Sequence, residues 1–240
     1  MTNAHRPGLI VALDGPGSSG KSSVGAAAAL ELGYRFCDTG LLYRAATWLS
    51  LKRRVPADGD PAALVALVPE IALVSDANGR LAHVSVDGED VTGDVHTPRV
   101  DEAVSAVSRV PELRAALLQM QRALAAEPGG IVMAGRDIGT VVLPDADLKI
   151  FLDASVEERA RRRTEERGLD ADSPEARFIL AQLRRRDDLD QNRAVAPLRP
   201  ADDAVHIVTD GNEFADTVAA VVAAIRTAEE RAALSGAVAR

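Results

Sequence analysis

The chain has 240 residues, 47% of them hydrophobic, so it can bury one full core with elaborations or two small cores. Its formal net charge of −8 argues against nucleic acid as a partner, because binding to a phosphate backbone requires clustered positive charge. Cys37 is the single cysteine, which excludes an intrachain disulfide and a thiolate metal cluster and predicts a reducing, cytoplasmic location.

The apolar segments of the sequence are too short to span a membrane. The longest clean run, 218–225, is far shorter than the roughly 20 residues that a bilayer requires. The first residues, MTNAHRPG, lack the charged and apolar regions of a secretory signal. We therefore expect no membrane partner, and we expect a monomer because nothing in the sequence requires a second subunit.

Short apolar runs alternate with segments of helical character along the chain. Strands are predicted at residues 9–13, 34–37, 131–133, 148–152 and 205–208. Helices are predicted at residues 21–32, 41–53, 112–126, 156–167, 174–192 and 213–233. Ser155 and Glu158 are expected to form a capping box at the start of the fourth helix. This alternation indicates an α/β protein with a parallel five-stranded sheet and helices on both faces.

Residues 59–100 break this alternation. The segment contains Asn78-Gly79 and Asp87-Gly88 between β-rich pieces, a pattern typical of tight hairpin turns. We predict an insertion that forms a small antiparallel sheet of its own. The final segment, 229–240, is polar and rich in alanine, which predicts a fraying helix or tail.

Residues 15–22, GPGSSGKS, match G-x-x-x-x-G-K-[ST] at every fixed position and lie between a predicted strand and a predicted helix. In such a loop the backbone N–H groups point at phosphate oxygens, and the following helix adds the positive end of its dipole. The sequence therefore predicts a P-loop NTPase-like fold that binds ATP and Mg²⁺. The residues expected at the nucleotide are Gly15, Pro16, Gly17, Ser18, Ser19, Gly20, Lys21, Ser22 and Ser23.

Two of these residues have individual expected roles. Lys21 would neutralise the β- and γ-phosphates, and the Ser22 hydroxyl would ligate Mg²⁺. The sequence lacks the N-K-x-D motif of GTPases and the L-S-G-G-Q motif of transporter ATPases, so both classes lose support.

Arginines are the diagnostic residues for phosphoryl transfer, because charge develops on the oxygens of the moving group. Arg44 follows the second predicted strand and Arg136 follows the third, at the edge where open α/β sheets bind ligands. Other arginines cluster at 159–163, 184–186 and 193. Many of these are expected to be solvated partners of nearby glutamates.

Several segments together resemble the bacterial cytidylate kinase family. They are, in chain order, DGPGSSGKSS, DTGLLYRAA, VDGEDVT followed by VSAVSRVPELR, AGRDIGTVV, KIFLDASVEERARRR and RRRDDLDQNRAVAPL. The resemblance covers about residues 9–210, and its most specific part combines GRDIGTVV with RDDLDQNRAVAPL. It implies Mg²⁺-dependent transfer of the ATP γ-phosphate to CMP or dCMP.

The resemblance also implies roles for individual residues. Cations for the transfer are expected from Lys21, Arg136, Arg159, Arg163 and Arg193. The acceptor phosphate is expected to contact Arg44, Arg136 and Arg193. The cytosine ring is expected to contact Thr39, Arg114 and Asp137, and the sugar hydroxyls Ser105, Arg186 and Asp190. Thr39 stands where many relatives have serine, and the hydroxyl is retained.

The residue types around the base suit cytosine. Cytosine presents an amino donor beside ring-nitrogen and carbonyl acceptors, so a carboxylate and an arginine can satisfy both halves, whereas uracil would place an acceptor against the carboxylate. Asp137 is therefore the residue expected to select the base, although an N-cap or a structural partner of Arg136 is an alternative role.

We expect three parts: a core of residues 1–40, 110–156 and 174–240, an acceptor-binding segment of residues 41–109, and a lid of residues 157–173. Closure of the two mobile parts would exclude water from ATP. Two alternatives stay open at this point. One is a P-loop kinase of another small acceptor, of the adenylate, shikimate or gluconate kinase type, and the other is a regulator that senses ATP without transferring phosphate.

Overall fold

One mixed sheet forms the centre of the molecule. The computed structural model describes residues 8–238, and the predictions for residues 1–7 and 239–240 lie outside the described residues. The strands are β1 (Ile10–Asp14), β2 (Arg35–Asp38), β3 (Ile71–Ser75), β4 (Arg80–Val86), β5 (Glu89–Asp90), β6 (Ile131–Gly135), β7 (Leu148–Asp153) and β8 (Val205–Val208). The helices are α1 (Lys21–Leu32), α2 (Gly40–Arg53), α3 (Pro61–Val65), α4 (Pro98–Val107), α5 (Pro111–Ala126), α6 (Val156–Glu166), α7 (Pro174–Gln191) and α8 (Phe214–Val238).

The five predicted parallel strands are confirmed, in the spatial order β2-β6-β1-β7-β8. Their observed ends lie within two residues of the predicted ones. Four of the five residues of β1 and all five of β6 are buried. Central strands of this kind are buried on both faces, which is why the sequence shows them as short continuous apolar runs.

The predicted insertion is β-rich, but the expectation that it forms a separate sheet is wrong. β3 and β5 pair antiparallel with β4, as the meander requires. β4 also pairs parallel with β2, where Phe36 lies opposite Arg80 and Cys37 opposite Leu81. The insertion therefore extends the central sheet, because β2 would otherwise leave an open edge beside it.

Two helices of this region, α3 and α4, were not predicted. The buried residues of α4 are Val100, Val104 and Val107, spaced as one face of a helix. This spacing indicates a helix, although valine also favours strands.

Helix ends follow from local sequence. Gly33 ends α1 in the left-handed conformation (φ 69°) and the next residue, Tyr34, donates its backbone N–H to Ala29 O at 2.8 Å. At the start of α6 the Ser155 hydroxyl accepts from the Glu158 N–H at 3.2 Å, as predicted. The reciprocal half of the capping box is absent among the described contacts, because Asp210 accepts the Ser155 N–H instead.

Apolar clusters on both sides of the sheet hold it in place. On one face Val11, Leu13 and Val132 pack against α1 and α8, and on the other Met133 and Ile138 pack near α5. A further cluster joins α2, β4 and α5, where the fully buried Leu113 and Leu117 lie; burial of each contributes roughly 2 kcal/mol. None of the helices that the structure describes combines the length and apolar character needed to cross a bilayer.

Candidate active site

A cavity of about 750 Å³ opens at the carboxyl ends of β1, β2 and β6. It is lined by most of the residues expected from the sequence: Ser18, Ser19, Gly20, Lys21, Ser22, Ser23, Thr39, Arg44, Ser105, Arg114, Arg136, Asp137, Arg163, Arg186, Asp190 and Arg193. The lining does not include Gly15, Pro16, Gly17 or Arg159. The fold thus brings distant segments to the sheet edge where open α/β sheets bind ligands.

The phosphate loop connects β1 to α1 with a backbone that requires glycine. A Cβ on Gly15 would lie 2.1 Å from the Leu152 carbonyl oxygen, so a side chain does not fit there. Gly20 precedes α1 with a φ of 88°, and Ser18 also lies in the left-handed region with a φ of 60°. The loop therefore curls at the amino end of α1, where the helix dipole favours an anion.

Lys21 lies inside this loop and is only 6% exposed. Its Nζ donates to the Pro16 carbonyl at 2.6 Å and to Ser19 Oγ at 3.2 Å. Burial, with a further contribution from Arg136, lowers the pKa of Lys21 well below its usual value, although Asp38 and Asp14 oppose the shift. The ammonium is therefore short of negative charge, which an anion at the loop would supply.

A hydroxyl and a carboxylate lie together beside the loop. Ser22 Oγ donates to Asp38 Oδ2 at 2.5 Å, and Asp38 Oδ1 accepts the Gly40 N–H at 2.9 Å. Both oxygens are ligands of the kind that Mg²⁺ prefers, and Mg²⁺ in nucleotide sites takes its remaining ligands from phosphate and water. The residues present therefore fit Mg²⁺.

Asp137 lies at the centre of a buried cluster of charges. Its Oδ2 accepts from Arg114 Nη2 at 2.5 Å, and its Oδ1 accepts from Arg193 Nη2 at 3.1 Å. The guanidinium of Arg114 also lies 5.2 Å from the ring centre of Tyr43. Each of the three charged side chains is less than a tenth exposed, and the cluster presents paired carboxylate and guanidinium groups to the cavity.

Arg136 and Arg186 lie over the phosphate loop. A Cβ on Gly17 would lie 3.4 Å from Arg136 Nη2 and 3.6 Å from Arg186 Cδ, so both arginines pass close to the loop backbone. Arg136 donates from Nε to Asp190 Oδ2 at 3.0 Å, whereas the buried Nε of Arg186 has no partner among the described residues. Burial and the neighbouring Arg136 lower the pKa of Arg186 to about 10.

Arg44 of α2 and Arg163 of α6 both line the cavity. Arg44 donates to Val95 O at 3.0 Å and to Asp101 Oδ1 at 2.7 Å. Arg163 donates to Ser18 Oγ at 3.2 Å and to Asp101 Oδ2 at 3.0 Å. Asp101 thus joins two arginines that the sequence analysis had assigned to separate parts of the chain.

Arg159 lies outside the lining of the cavity. Its side chain is 4% exposed and pairs with Asp187, with Arg159 Nη2 2.5 Å from Asp187 Oδ2. It also donates to the Ala154 carbonyl at 2.9 Å and the Gly17 carbonyl at 2.9 Å. These donors attach α6 to α7 and to the loop backbone, and the expected role of Arg159 as a lid cation at the phosphates stays a prediction.

The hydroxyls expected at the base and sugar reach the cavity in different ways. Thr39 Oγ1 donates to the Ala134 carbonyl at 2.9 Å, which ties β2 to β6. Ser105 lines the cavity on α4, but a hydrogen bond from its hydroxyl to Asp190 is not among the described contacts. Asp190 instead pairs with Arg136.

Sequence reasoning missed Asp38, Asp101 and Asp187. Asp38 is the last residue of β2, so the same strand-end rule that identified Arg44 could have identified it. Asp101 lies on α4 and Asp187 on α7, in helices whose surfaces carry many charges. Their partners are arginines far along the chain, and sequence spacing carries no signal of such contacts.

The chain is similar in sequence to proteins of one family over most of its length. The model of the family described as "Cytidylate kinase" matches residues 11–227. The cytidylate kinase of Nocardia farcinica is 46% identical over 218 residues, which cover 90% of this chain and 94% of the relative. The cytidylate kinase of Streptomyces avermitilis is 42% identical over 229 residues, which cover 95% of this chain and 96% of the relative.

The fold is also similar to a solved structure described as a gluconokinase from Sinorhizobium meliloti. The TM-score is 0.50, the sequences are 16% identical, and the match covers 96% of this chain and 99% of that one. At this identity the likeness concerns the fold alone, so it does not favour gluconate as an acceptor.

Proposed function

The chain belongs to the cytidylate kinase family, and on that premise we propose that it transfers the γ-phosphoryl group of ATP to CMP or dCMP, giving ADP and CDP or dCDP. The observation that carries this proposal is the joint lining of one cavity by the phosphate loop and by the arginine–carboxylate cluster of Asp137. The first feature suits a triphosphate donor and the second suits a cytosine-bearing acceptor.

The acceptor base is assigned to Asp137, Arg114 and Thr39. A carboxylate can accept from the amino group of cytosine, while a guanidinium donates to its ring nitrogen and carbonyl. Arg114 is already oriented by Asp137 and by the Ser108 carbonyl, to which its Nη1 donates at 3.1 Å. Uracil would leave the carboxylate facing a carbonyl, and a buried unpaired acceptor is costly.

The acceptor phosphate is assigned to Arg44, Arg136 and Arg193, and the sugar to Ser105, Arg186 and Asp190. Arg193 contacts Asp137, and Arg136 contacts Asp190, so the phosphate and sugar groups share partners with the base site. Burial, with the nearby charge of Arg114, lowers the pKa of Arg193. Arg114 and Arg193 share the single carboxylate of Asp137, so an incoming phosphate would balance the remaining positive charge.

The donor phosphates are assigned to residues 15–23, with Lys21 at the β- and γ-phosphates. Other lining residues, Arg161, Arg162 and the segment from Gly211 to Phe214, would enclose the donor base. Ser22 and Asp38 would hold Mg²⁺, which when bound neutralises charge on the phosphate oxygens.

Catalysis by these residues would depend on position and charge. The transition state of phosphoryl transfer is loose, so no side chain has to act as a strong base. Lys21, Arg136, Arg163 and Arg193 would stabilise charge on the transferring group, and the arginine partners Asp190 and Asp137 would orient the guanidinium groups. Closure of the acceptor-binding segment (41–109) and the lid (157–173) over the core would exclude water.

The location, the partners and the oligomeric state are each proposed from fewer observations. The buried, reduced Cys37 supports a cytoplasmic location. The substrates are small nucleotides, the proposed partners include no nucleic acid and no membrane, and the protein is proposed to act as a monomer.

A coupled assay of ADP formation tests the function directly. The purified chain is given ATP and Mg²⁺ with CMP, dCMP, UMP, AMP, GMP, shikimate or gluconate in separate reactions. Turnover that is fastest with CMP or dCMP is expected. Turnover that is fastest with another acceptor, or ATP binding with no acceptor-dependent turnover, would refute the proposal.

A further inference from the structure

Asp101, on α4, connects three parts of the site. Its two carboxylate oxygens accept from different arginines: Oδ1 from Arg44 on α2 at 2.7 Å, and Oδ2 from Arg163 on α6 at 3.0 Å. Arg163 donates in addition to Ser18 of the phosphate loop at 3.2 Å. A single carboxylate therefore holds an arginine of the acceptor-binding segment and an arginine of the lid in one network.

This carboxylate occupies donors that a phosphate would use. Carboxylate and phosphate oxygens accept from the same planar pairs of guanidinium N–H groups. Burial alone would raise the pKa of Asp101, but the cations Arg44, Arg163 and Arg186 keep it below its usual value, so the side chain is ionised at neutral pH. Two arginines thus share one negative charge before any substrate arrives.

We propose that Asp101 is a displaceable counter-ion, which competes with the acceptor phosphate for Arg44 and keeps Arg163 from the donor phosphates until the acceptor phosphate replaces it. The inference rests on the proposed function of Arg44 and Arg163. Asp101 acts through these arginines and is therefore a positioning residue. The Asp101 side chain is 19% exposed. Its replacement by another anion therefore costs less free energy than the same replacement in a fully buried ion pair.

The consequence is protection of ATP in the absence of acceptor. In hydrolysis a water oxygen bonds to the γ-phosphorus while the bond from phosphorus to the β,γ-bridging oxygen breaks, ADP leaves, and the proton of the water passes to solvent. Arg163 would stabilise this transition state as it does the transfer. While Asp101 binds Arg163, that stabilisation is reduced.

The test compares Asp101→Asn with Glu102→Gln. Glu102 is the next residue, is exposed and forms no ion pair in the described part of the chain, so it provides the same change of charge outside the network. Asp101→Asn is expected to lower the KM for CMP and to raise the rate of CMP-independent ATP hydrolysis. Each change should be about threefold to tenfold, which is the size of effect that one partly exposed ion pair produces. Glu102→Gln is expected to change neither quantity. Asp101→Glu, which keeps the negative charge, is expected to show the wild-type KM and hydrolysis rate.

Calorimetric binding without ATP separates this inference from the proposed function. Asp101→Asn should bind CMP more tightly than the wild type but bind cytidine, which lacks the phosphate, with unchanged affinity. An unchanged or weaker affinity for CMP, an equal gain for cytidine, or an unchanged hydrolysis rate overturns the role of Asp101. A wild-type chain that does not phosphorylate CMP refutes the proposed function instead, while the binding comparison still decides the competition at Arg44.

Discussion

The two ends of the cavity are constructed differently. The phosphate-loop end comes from consecutive residues between β1 and α1, and its lysine donates to groups only two and five residues away. The proposed acceptor end combines α2, α4, α5, the turn after β6 and α7, with Asp137 bonded to arginines 23 and 56 residues away. Substitutions at the first end should therefore impair turnover of every acceptor, whereas those at the second should distinguish between acceptors.

The largest effect is expected from Lys21→Ala at the phosphate-loop end. Loss of a cation beside the developing charge should lower kcat by about 10² to 10³ with CMP and with dCMP alike. Because the buried ammonium has a lowered pKa, its removal should not reduce the free energy of unfolding. Steady-state kinetics and thermal unfolding measure both, with the exposed Lys52→Ala as control; a variant that retains a tenth of wild-type turnover would contradict the assignment.

Asp137→Asn is the matching test at the acceptor end. The neutral amide leaves Arg114 and Arg193 without their counter-ion and loses the acceptor for the cytosine amino group, so kcat/KM for CMP should fall by about 10². The loss for UMP should be smaller, and the CMP to UMP ratio should decrease. Parallel kinetics on both acceptors provide the measurement, with the exposed Asp188→Asn as control. Equal losses would mean that Asp137 orients the arginines without reading the base.

Arg159 and Arg163 lie on the same helix, α6, but in different environments. Arg159→Ala leaves the buried Asp187 without its partner and should lower the free energy of unfolding by about 3 kcal/mol. Arg163→Ala removes a side chain that lines the cavity and should lower kcat by about tenfold with little change in stability. Denaturant unfolding and kinetics on both variants test this; a stable, slow Arg159→Ala would support the predicted role of Arg159 as a lid cation instead.

The smallest effect concerns Asp14, which links the base of the phosphate loop to the turn that carries Asp137. Its carboxylate accepts the N–H groups of Ile138 and Gly139 at 2.8 and 2.7 Å, yet burial raises its pKa to about 6. Because the folded pKa lies above the unfolded value, ionisation destabilises the fold, and this cost grows from about pH 4 to pH 6 and is fully present above it.

Asp14→Asn removes that titration. The stability of the wild type relative to the variant should therefore decrease by about 2 kcal/mol between pH 4.5 and 7.5, as the unfolding free energies in denaturant would measure. A difference that stays constant over this range would contradict the raised pKa.

The local features of the protein follow directly from its sequence. Glycine conformation accounts for the phosphate loop and for the cap at Gly33. Short apolar runs account for the five parallel strands, and a short-range hydrogen bond accounts for the cap at Ser155. The position of Arg44 and Arg136 after the ends of parallel strands predicts that both line a cavity at that edge of the sheet, as they do. These interactions join residues close in the chain, or follow from strand direction alone, so the order of residues encodes them.

Which arginine pairs with which carboxylate depends on how distant segments pack in the fold. Arg159 and Arg163 share one face of α6 and look equivalent in the sequence, but packing against α7 buries Arg159 on Asp187 while Arg163 reaches Asp101 and Ser18. The pairing of β4 with β2, which joined the insertion to the central sheet, was likewise set by contact between distant segments. Ion pairs and pairings at sheet edges form between groups that are close in space. For residues in different elements, spacing along the sequence does not indicate which groups will be close.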